Sequence, residues 1–411
     1  MTTPLIQIDN THFVVSGLAT AHSHAFQRAL RGHTQRRQMD AASFWSWRGL
    51  MYRLAGQLDP DTMYAIARFA YTELAMSDVT AVGEFHYVHH QPNGKPYASR
   101  TILAEAVIQA AKDVGIRICL IRTAYLRAGY QQDIAAGQQR FVDPSIESAL
   151  GDVEHLQSMF ADDPLVKVAV AAHSIRAVPI EQIKVLAEYT TQYQLPFHMH
   201  ICEQRRELEE CQAEYGTTPV DLLADQGILS PRFVGTHATH LQPSEIEALG
   251  GAQVFICLCR TTERDLGDGL PQTADLVQAG VKLCVGVDSH ASSDAFEEIR
   301  AIELDDRSRT ETRHVAAEAP ALLAAATGNG YAAIGFEANL EDRVYLNVQD
   351  PSLIGIDYAL ATDGIIFGAN PRAVDKVRVN GQQIVEGGQH KTYDEARIGY
   401  QQALRQLALL S

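Results

Sequence analysis

The alternation of short β-branched runs with longer helix-period segments, sustained from about residue 13 to residue 290, constrains this chain more than any other feature. Runs of that kind, spaced widely enough for a crossover helix between them, build parallel β/α units. They fall at 13–21, 79–86, 116–121, 166–173, 195–201, 232–237, 253–258 and 281–288, and helical periodicity marks 61–76, 99–113, 179–193, 242–249 and 293–306. Eight parallel strands with intervening helices close a TIM-like barrel, so an α/β fold of the (β/α)8 type is expected over residues 13–340. The longest insertion, 25–60, follows the first strand and carries Phe44-Trp45-Ser46-Trp47-Arg48. A long loop at that end of a barrel is where function usually sits.

After residue 340 the texture changes. Segments 344–348, 364–367 and 377–385 read as strands, the last divided by Asn380-Gly381, a hairpin-turn pair. Residues 341–392 are therefore expected to form a small β appendage. Residues 393–411 are expected to form a C-terminal helix.

Composition narrows the partners. The chain has 411 residues, 46% of them hydrophobic, which is ample to fill a core. A net charge of -16 repels polyanions, so neither a nucleic acid nor an anionic membrane is expected as a partner. Six cysteines with no C-x-x-C spacing read as reduced thiols, and no leader-like or membrane-length apolar stretch is present, so a cytoplasmic location is expected.

Catalytic groups in a β/α barrel come from the C-terminal ends of strands. Here those ends carry His22 and His24, Glu84 and His86, His173, His198 and His200, His237, and Asp288. Residues two apart on a strand share a face, so the imidazoles of His22 and His24 converge. One histidine at one strand end is ordinarily a hydrogen-bonded or solvent-facing residue. Histidine at five strand ends with aspartate at another is the ligand chemistry of a divalent transition metal.

His22-Ser23-His24, His200 followed by Glu203, His237 and Asp288 resemble the amidohydrolase superfamily of metal-dependent barrels, in its branch that deaminates with one metal ion. The resemblance implies a metal-dependent hydrolase barrel that binds one divalent ion per subunit through His22, His24, His200 and Asp288; three histidines and an aspartate suit Zn2+ first, with iron and manganese left open. It further implies catalytic roles for Glu203, His237 and Asp288. Binuclear members carry a bridging lysine at the end of strand four, where this chain has Ala171-Ala172-His173. A closer resemblance lies in Ala21–Gln27, Phe44–Arg48, Glu84-Phe85-His86-Tyr87, His173–Val178, His200–Gln204, His237–His240, Thr261-Thr262-Glu263 with Leu266-Gly267-Asp268-Gly269, and Asp288-Ser289-His290, which look like the formimidoylglutamate deiminase family. That family hydrolyses N-formimidoyl-L-glutamate to N-formyl-L-glutamate and ammonia in histidine degradation. The implied substrate is thus a small dicarboxylate amidine held by Gln27, Arg48, Tyr87, His173 and Arg176, and the implied assembly is a homodimer. The family also pairs a β segment ahead of the metal strand with its C-terminal strands. This implies that residues 1–12 and 341–392 form one small β-sandwich, reduced at the N-terminus because only about a dozen residues precede the first strand. Arg260 and Val287 are further departures from the family's pattern.

The arginines make physical sense without the family. Arg48 and Arg176 can each hold a carboxylate through two parallel hydrogen bonds, which lysine cannot do in the same geometry. His240 and His290 read as supporting or loop residues, Cys257 and Cys259 as packing, and His89-His90 as a loop able to reach a neighbouring subunit. A sister deaminase acting on a nucleobase or another amidine would keep the metal set and change the arginines. An inactive metal-bound barrel used for binding would have no need of Glu203 and His237.

Overall fold

The computed structural model describes residues 7–35, 44–337 and 341–407. The expected segments 1–12, 25–60 and 393–411 thus each include some residues outside the described ones. At the centre lie eight parallel strands whose spatial order follows the chain: β1 (Leu18–Ser23), β2 (Val79–His86), β3 (Arg117–Ala124), β4 (Val166–Ala172), β5 (Phe197–Ile201), β6 (Phe233–His237), β7 (Phe255–Leu258) and β8 (Lys282–Val285). Every residue of β2 and β3 is buried, as strands covered by helices on one side and filled by side chains on the other must be.

The sheet closes through a parallel bridge between Ser23 and Asp288. His24 N donates to Asp288 O at 2.9 Å, and Asp288 N donates to His22 O at 3.1 Å. Gly286 makes this approach possible, since a Cβ there would sit 2.8 Å from His22 Cβ and 2.9 Å from Cys259 Sγ.

Local chemistry sets the helix ends. Asp59 caps helix Pro60–Met76 by accepting from Thr62 N at 2.8 Å, Thr62 Oγ1 accepts from Asp59 N in return, and Pro60 begins the first turn. Helix Ile102–Val114 ends on Gly115, whose φ of 88° is the left-handed value that glycine adopts at little cost.

Two strand readings need correction. The apolar run 13–21 is two strands in two sheets: His12–Ser16 pairs antiparallel with Arg343–Asn347, while Leu18–Ser23 enters the barrel. The chain crosses between them at Gly17, where a Cβ would lie 2.3 Å from Thr80 Oγ1 and 2.8 Å from Asp342 Cβ. Both halves are buried, so hydropathy carries no sign of the break. Segment 364–367 lies within helix Ala361–Gly368, because a short apolar run suits a buried helix as well as a strand. The Asn380-Gly381 turn is as expected, with φ values of 50° and 75° joining Val374–Val379 to Gln382–Glu386.

These strands belong to a six-stranded antiparallel sheet in the order Gln7–Ile8, His12–Ser16, Arg343–Asn347, Val374–Val379, Gln382–Glu386, Gln389–His390. Asp342 ties it to the barrel. Its carboxylate accepts from Arg117 Nε at 2.7 Å, Tyr331 Oη at 2.7 Å and Asn380 N at 2.8 Å, and its carbonyl accepts from Gly17 N at 3.0 Å.

Candidate active site

Four side chains meet at the C-terminal mouth of the barrel. His22 Nε2 lies 3.1 Å from His24 Nε2 and 3.2 Å from His200 Nε2, and Asp288 Oδ1 lies 3.5 and 3.3 Å from the Nε2 atoms of His22 and His24. Each imidazole is anchored through its other nitrogen. His24 Nδ1 and His200 Nδ1 are 2.9 Å from the carbonyl oxygens of Phe85 and His173, and His22 Nδ1 is 3.4 Å from Thr236 Oγ1. A carbonyl only accepts, so Nδ1 of His24 and His200 carries the proton and Nε2 turns a lone pair inward.

Facing lone pairs at this distance repel unless a cation sits among them, and a proton is a poor candidate. Burial, reinforced by neighbouring imidazoles, lowers His24 to about 3 and holds His22 and His200 well below the ordinary histidine value. A tetrahedral zinc site with bonds of about 2.0–2.1 Å separates its ligand atoms by about 3.3–3.4 Å. The observed spacings match, so the donor set fits a small divalent metal.

The H-x-H segment is braced from behind. Glu84 Oε2 accepts from Ser23 Oγ at 2.7 Å, Glu84 Oε1 accepts from Ala25 N at 2.8 Å, and His290 Nε2 lies 2.9 Å from Ser23 Oγ. His290 is thereby the supporting residue it was read to be. His198 turns instead to the Ala333 carbonyl at 2.9 Å.

Beside the quartet stands a second group. His237 Nε2 is 3.8 Å from both Glu203 Oε1 and Asp288 Oδ2. Burial opposes a charge on His237, yet Glu203, Glu263 and Asp288 outweigh it and raise its pKa to about 10. Burial raises Glu203 above the ordinary carboxyl value, against the pull of His237. Non-glycine residues with left-handed φ cluster at these strand ends: Cys202 at 50°, His237 at 77° and Asp288 at 47°. Such conformations are held only where surrounding contacts enforce them.

The site opens into a cavity whose walls include Gln27, Arg48, Tyr87, His173 and Arg176. All five expected substrate residues thus line one space with Glu203, His237 and Asp288. Gln27 Nε2 donates to Tyr87 Oη at 3.0 Å, while Gln27 Oε1 is buried without a partner among the described residues. Arg48, on helix Phe44–Ala55, stacks over Tyr52 at 5.3 Å, and Arg176 Nη1 donates to Ala128 O at 3.0 Å. Trp47, Tyr52 and Tyr125 also line the cavity and had no assigned part. A signal for Trp47 and Tyr52 was available in the aromatic loop that carries Arg48.

Some residues lie elsewhere. His89 and His90 do not face outward: each is 3% exposed, with Nε2 turned to the carbonyls of Thr123 at 2.9 Å and Val142 at 3.1 Å. Arg260 is absent from the cavity wall and is bound to Glu263 and Asp305. Cys257 and Cys284 pack side by side in register on β7 and β8, and all six cysteines are buried and free. Glu263 and Asp268, unassigned before, each lie in a cluster with His237.

The model of the Amidohydrolase family matches residues 13–384. The chain belongs to the amidohydrolase family. It is 33% identical to the formimidoylglutamate deiminase of Pseudomonas aeruginosa, over 96% of this chain and 89% of that one. It is 29% identical to the 8-oxoguanine deaminase of the same organism, over 69% of this chain and 61% of that one. Among solved structures, an amidohydrolase from Brucella melitensis superposes with a TM-score of 0.90 at 33% identity, covering 96% of this chain and 89% of that one. A zinc-bound adenosine deaminase from Xanthomonas campestris shares the fold, with a TM-score of 0.82 at 20% identity, covering 96% of this chain and 86% of that one. No described helix of this amidohydrolase is long and apolar enough to cross a membrane.

Proposed function

We propose that this amidohydrolase removes ammonia from N-formimidoyl-L-glutamate by hydrolysis, leaving N-formyl-L-glutamate. The observation that carries the reading is one cavity that joins the His22, His24, His200 and Asp288 cluster to Arg48 and Arg176. Two guanidinium groups suit the two carboxylates of the substrate. Gln27 and His173 line the same cavity and offer polar groups suited to an amidine. Similarity to the Pseudomonas aeruginosa deiminase over nearly the whole chain supports the same substrate.

His22, His24, His200 and Asp288 would hold one divalent ion, and three imidazoles with a carboxylate suit zinc. Such an ion supplies a water whose pKa is lowered to about 7. Asp288 Oδ2, facing His237, accepts a proton from the attacking water. His237 Nε2 faces the oxygen that becomes bonded to the formimidoyl carbon and offsets its developing negative charge. Glu203, kept protonated more readily by burial, delivers a proton to the departing nitrogen. As the carbon–nitrogen bond breaks, Asp288 gives its proton to the same nitrogen, which leaves as ammonia. The hydroxyl proton of the new carbon–oxygen bond passes to Glu203, so the carbon keeps the oxygen as a formyl group and both carboxyls end as they began. The buried free thiols suit a reducing cytoplasm.

Soaking zinc-loaded crystals in N-formyl-L-glutamate tests the reading. Density with one carboxylate on Arg48 and the other on Arg176 is expected. A ligand seated away from both arginines would overturn the substrate assignment.

A further inference from the structure

His237 is gripped from the side opposite the cavity. Its Nδ1 lies 3.3 Å from Glu263 Oε1, and that same oxygen accepts from Cys259 N at 2.9 Å. The other oxygen, Glu263 Oε2, is paired with the Arg260 guanidinium, three residues earlier on the same short helix, Arg260–Leu266. Arg260 in turn meets Asp305 Oδ2 through Nε at 2.9 Å and Nη2 at 2.6 Å. Glu263 is 0% exposed and Arg260 1%, so neither touches solvent or substrate.

An imidazole presents its two nitrogens at a fixed angle, so whatever holds one decides where the other points. A carboxylate oxygen that accepts at Nδ1 makes that nitrogen the donor and swings Nε2 toward Glu203 and Asp288, each 3.8 Å away. The ring also stacks on His200 with centroids 5.5 Å apart, a contact that restrains its plane but does not choose which nitrogen faces the cavity. His237 sits at a left-handed φ of 77° at the end of β6, where the strand's own pairing stops. A buried carboxylate is itself costly unless paired, and Arg260 with Cys259 N supplies the pairing.

We infer that Glu263 is a positioning residue for His237, fixing its ring so that Nε2 faces the reacting atoms, and that Arg260 holds Glu263 in place. The catalytic part of this inference rests on the proposed role of His237; the grip on the ring does not. The departure at Arg260 is then a brace behind the site rather than a change in the substrate pocket.

The test uses the full-length, zinc-loaded protein and its Glu263→Gln, Glu263→Asp and Arg260→Gln variants. Histidine labelled with 15N reports, in long-range 1H–15N spectra, which His237 nitrogen carries hydrogen, the resonance being assigned by its loss in His237→Asn. Glu263→Gln is expected to move the His237 signal, leave the zinc content and melting temperature near wild type, and lower kcat about 10- to 100-fold with KM within about threefold. Glu263→Asp should restore part of kcat, and Arg260→Gln should shift the same signal less. An unmoved His237 signal in both Glu263→Gln and Arg260→Gln overturns the inference, as does a kcat loss that merely tracks lost zinc or lost stability. A wild-type protein that deaminates no amidine would defeat the proposed function, while the spectra would still judge Glu263.

Discussion

Ser23 and Asp288 lie side by side as a parallel backbone bridge, so the strand that carries His22 and His24 meets the turn that carries Asp288 where the barrel sheet closes. Barrel closure and convergence of the proposed ligands are therefore one event. Metal binding at such a place adds its free energy to that of folding.

The first expectation follows directly. Zinc at 100 times its dissociation constant should stabilise the protein by about 2.7 kcal/mol, seen as a raised melting temperature. His24→Ala and Asp288→Asn should abolish the shift. An equal shift in wild type and both variants would place the metal elsewhere.

Glu203→Gln keeps the shape of the side chain and removes its ability to move a proton. It should retain zinc and fold while losing about 100-fold or more in kcat. Ammonia release at the wild-type rate would remove Glu203 from the proton path.

Arg48→Lys and Arg176→Lys keep the charge and lose the two-pronged geometry. Each should raise KM for a dicarboxylate substrate by about 10-fold or more, a charged hydrogen bond being worth about 1.5–3 kcal/mol. Unchanged KM in both variants would show that the arginines do not hold the carboxylates.

Asp342 sits between the two sheets with Arg117, Tyr331 and Asn380 depending on it. Asp342→Ala leaves the largely buried Arg117 unpaired and should cost about 3–5 kcal/mol in chemical denaturation. A loss below about 1 kcal/mol, the level of an exposed pair, would contradict this account of the junction.

Glu298 supplies a pH-dependent test away from the metal cluster. It accepts from Thr261 N, and burial raises its pKa from 4.5 to about 8. A raised folded-state value means that the stability it contributes is present below pH 4.5 and is lost as pH rises through about 8. Glu298→Gln lacks that dependence, so the stability of the variant relative to wild type should rise between pH 5 and pH 9. A difference that stays constant across that range would rule the linkage out.

Much of this arrangement was legible in the sequence because strand-end chemistry is local. The His22 and His24 spacing dictates a shared face, and short apolar runs, most of them β-branched, mark the barrel strands. The break at Gly17 was hidden because His12–Ser16 and Leu18–Ser23 are both buried, and only the long-range partners Arg343–Asn347 and Val79–His86 tell them apart. Residues 364–367 were misread because four apolar residues are too few to show a period. Glu263 could be seen as part of a motif, but its grip on His237 depends on β6 and the helix after β7 lying side by side, which no local spacing encodes.

The most direct measurement is ammonia released from N-formimidoyl-L-glutamate by zinc-loaded protein, compared with N-formimidoyl-L-aspartate and 8-oxoguanine. The account predicts the highest kcat/KM for N-formimidoyl-L-glutamate, loss of activity on chelation, and recovery when zinc is restored. Preference for the ring substrate, or turnover that survives chelation, would contradict it.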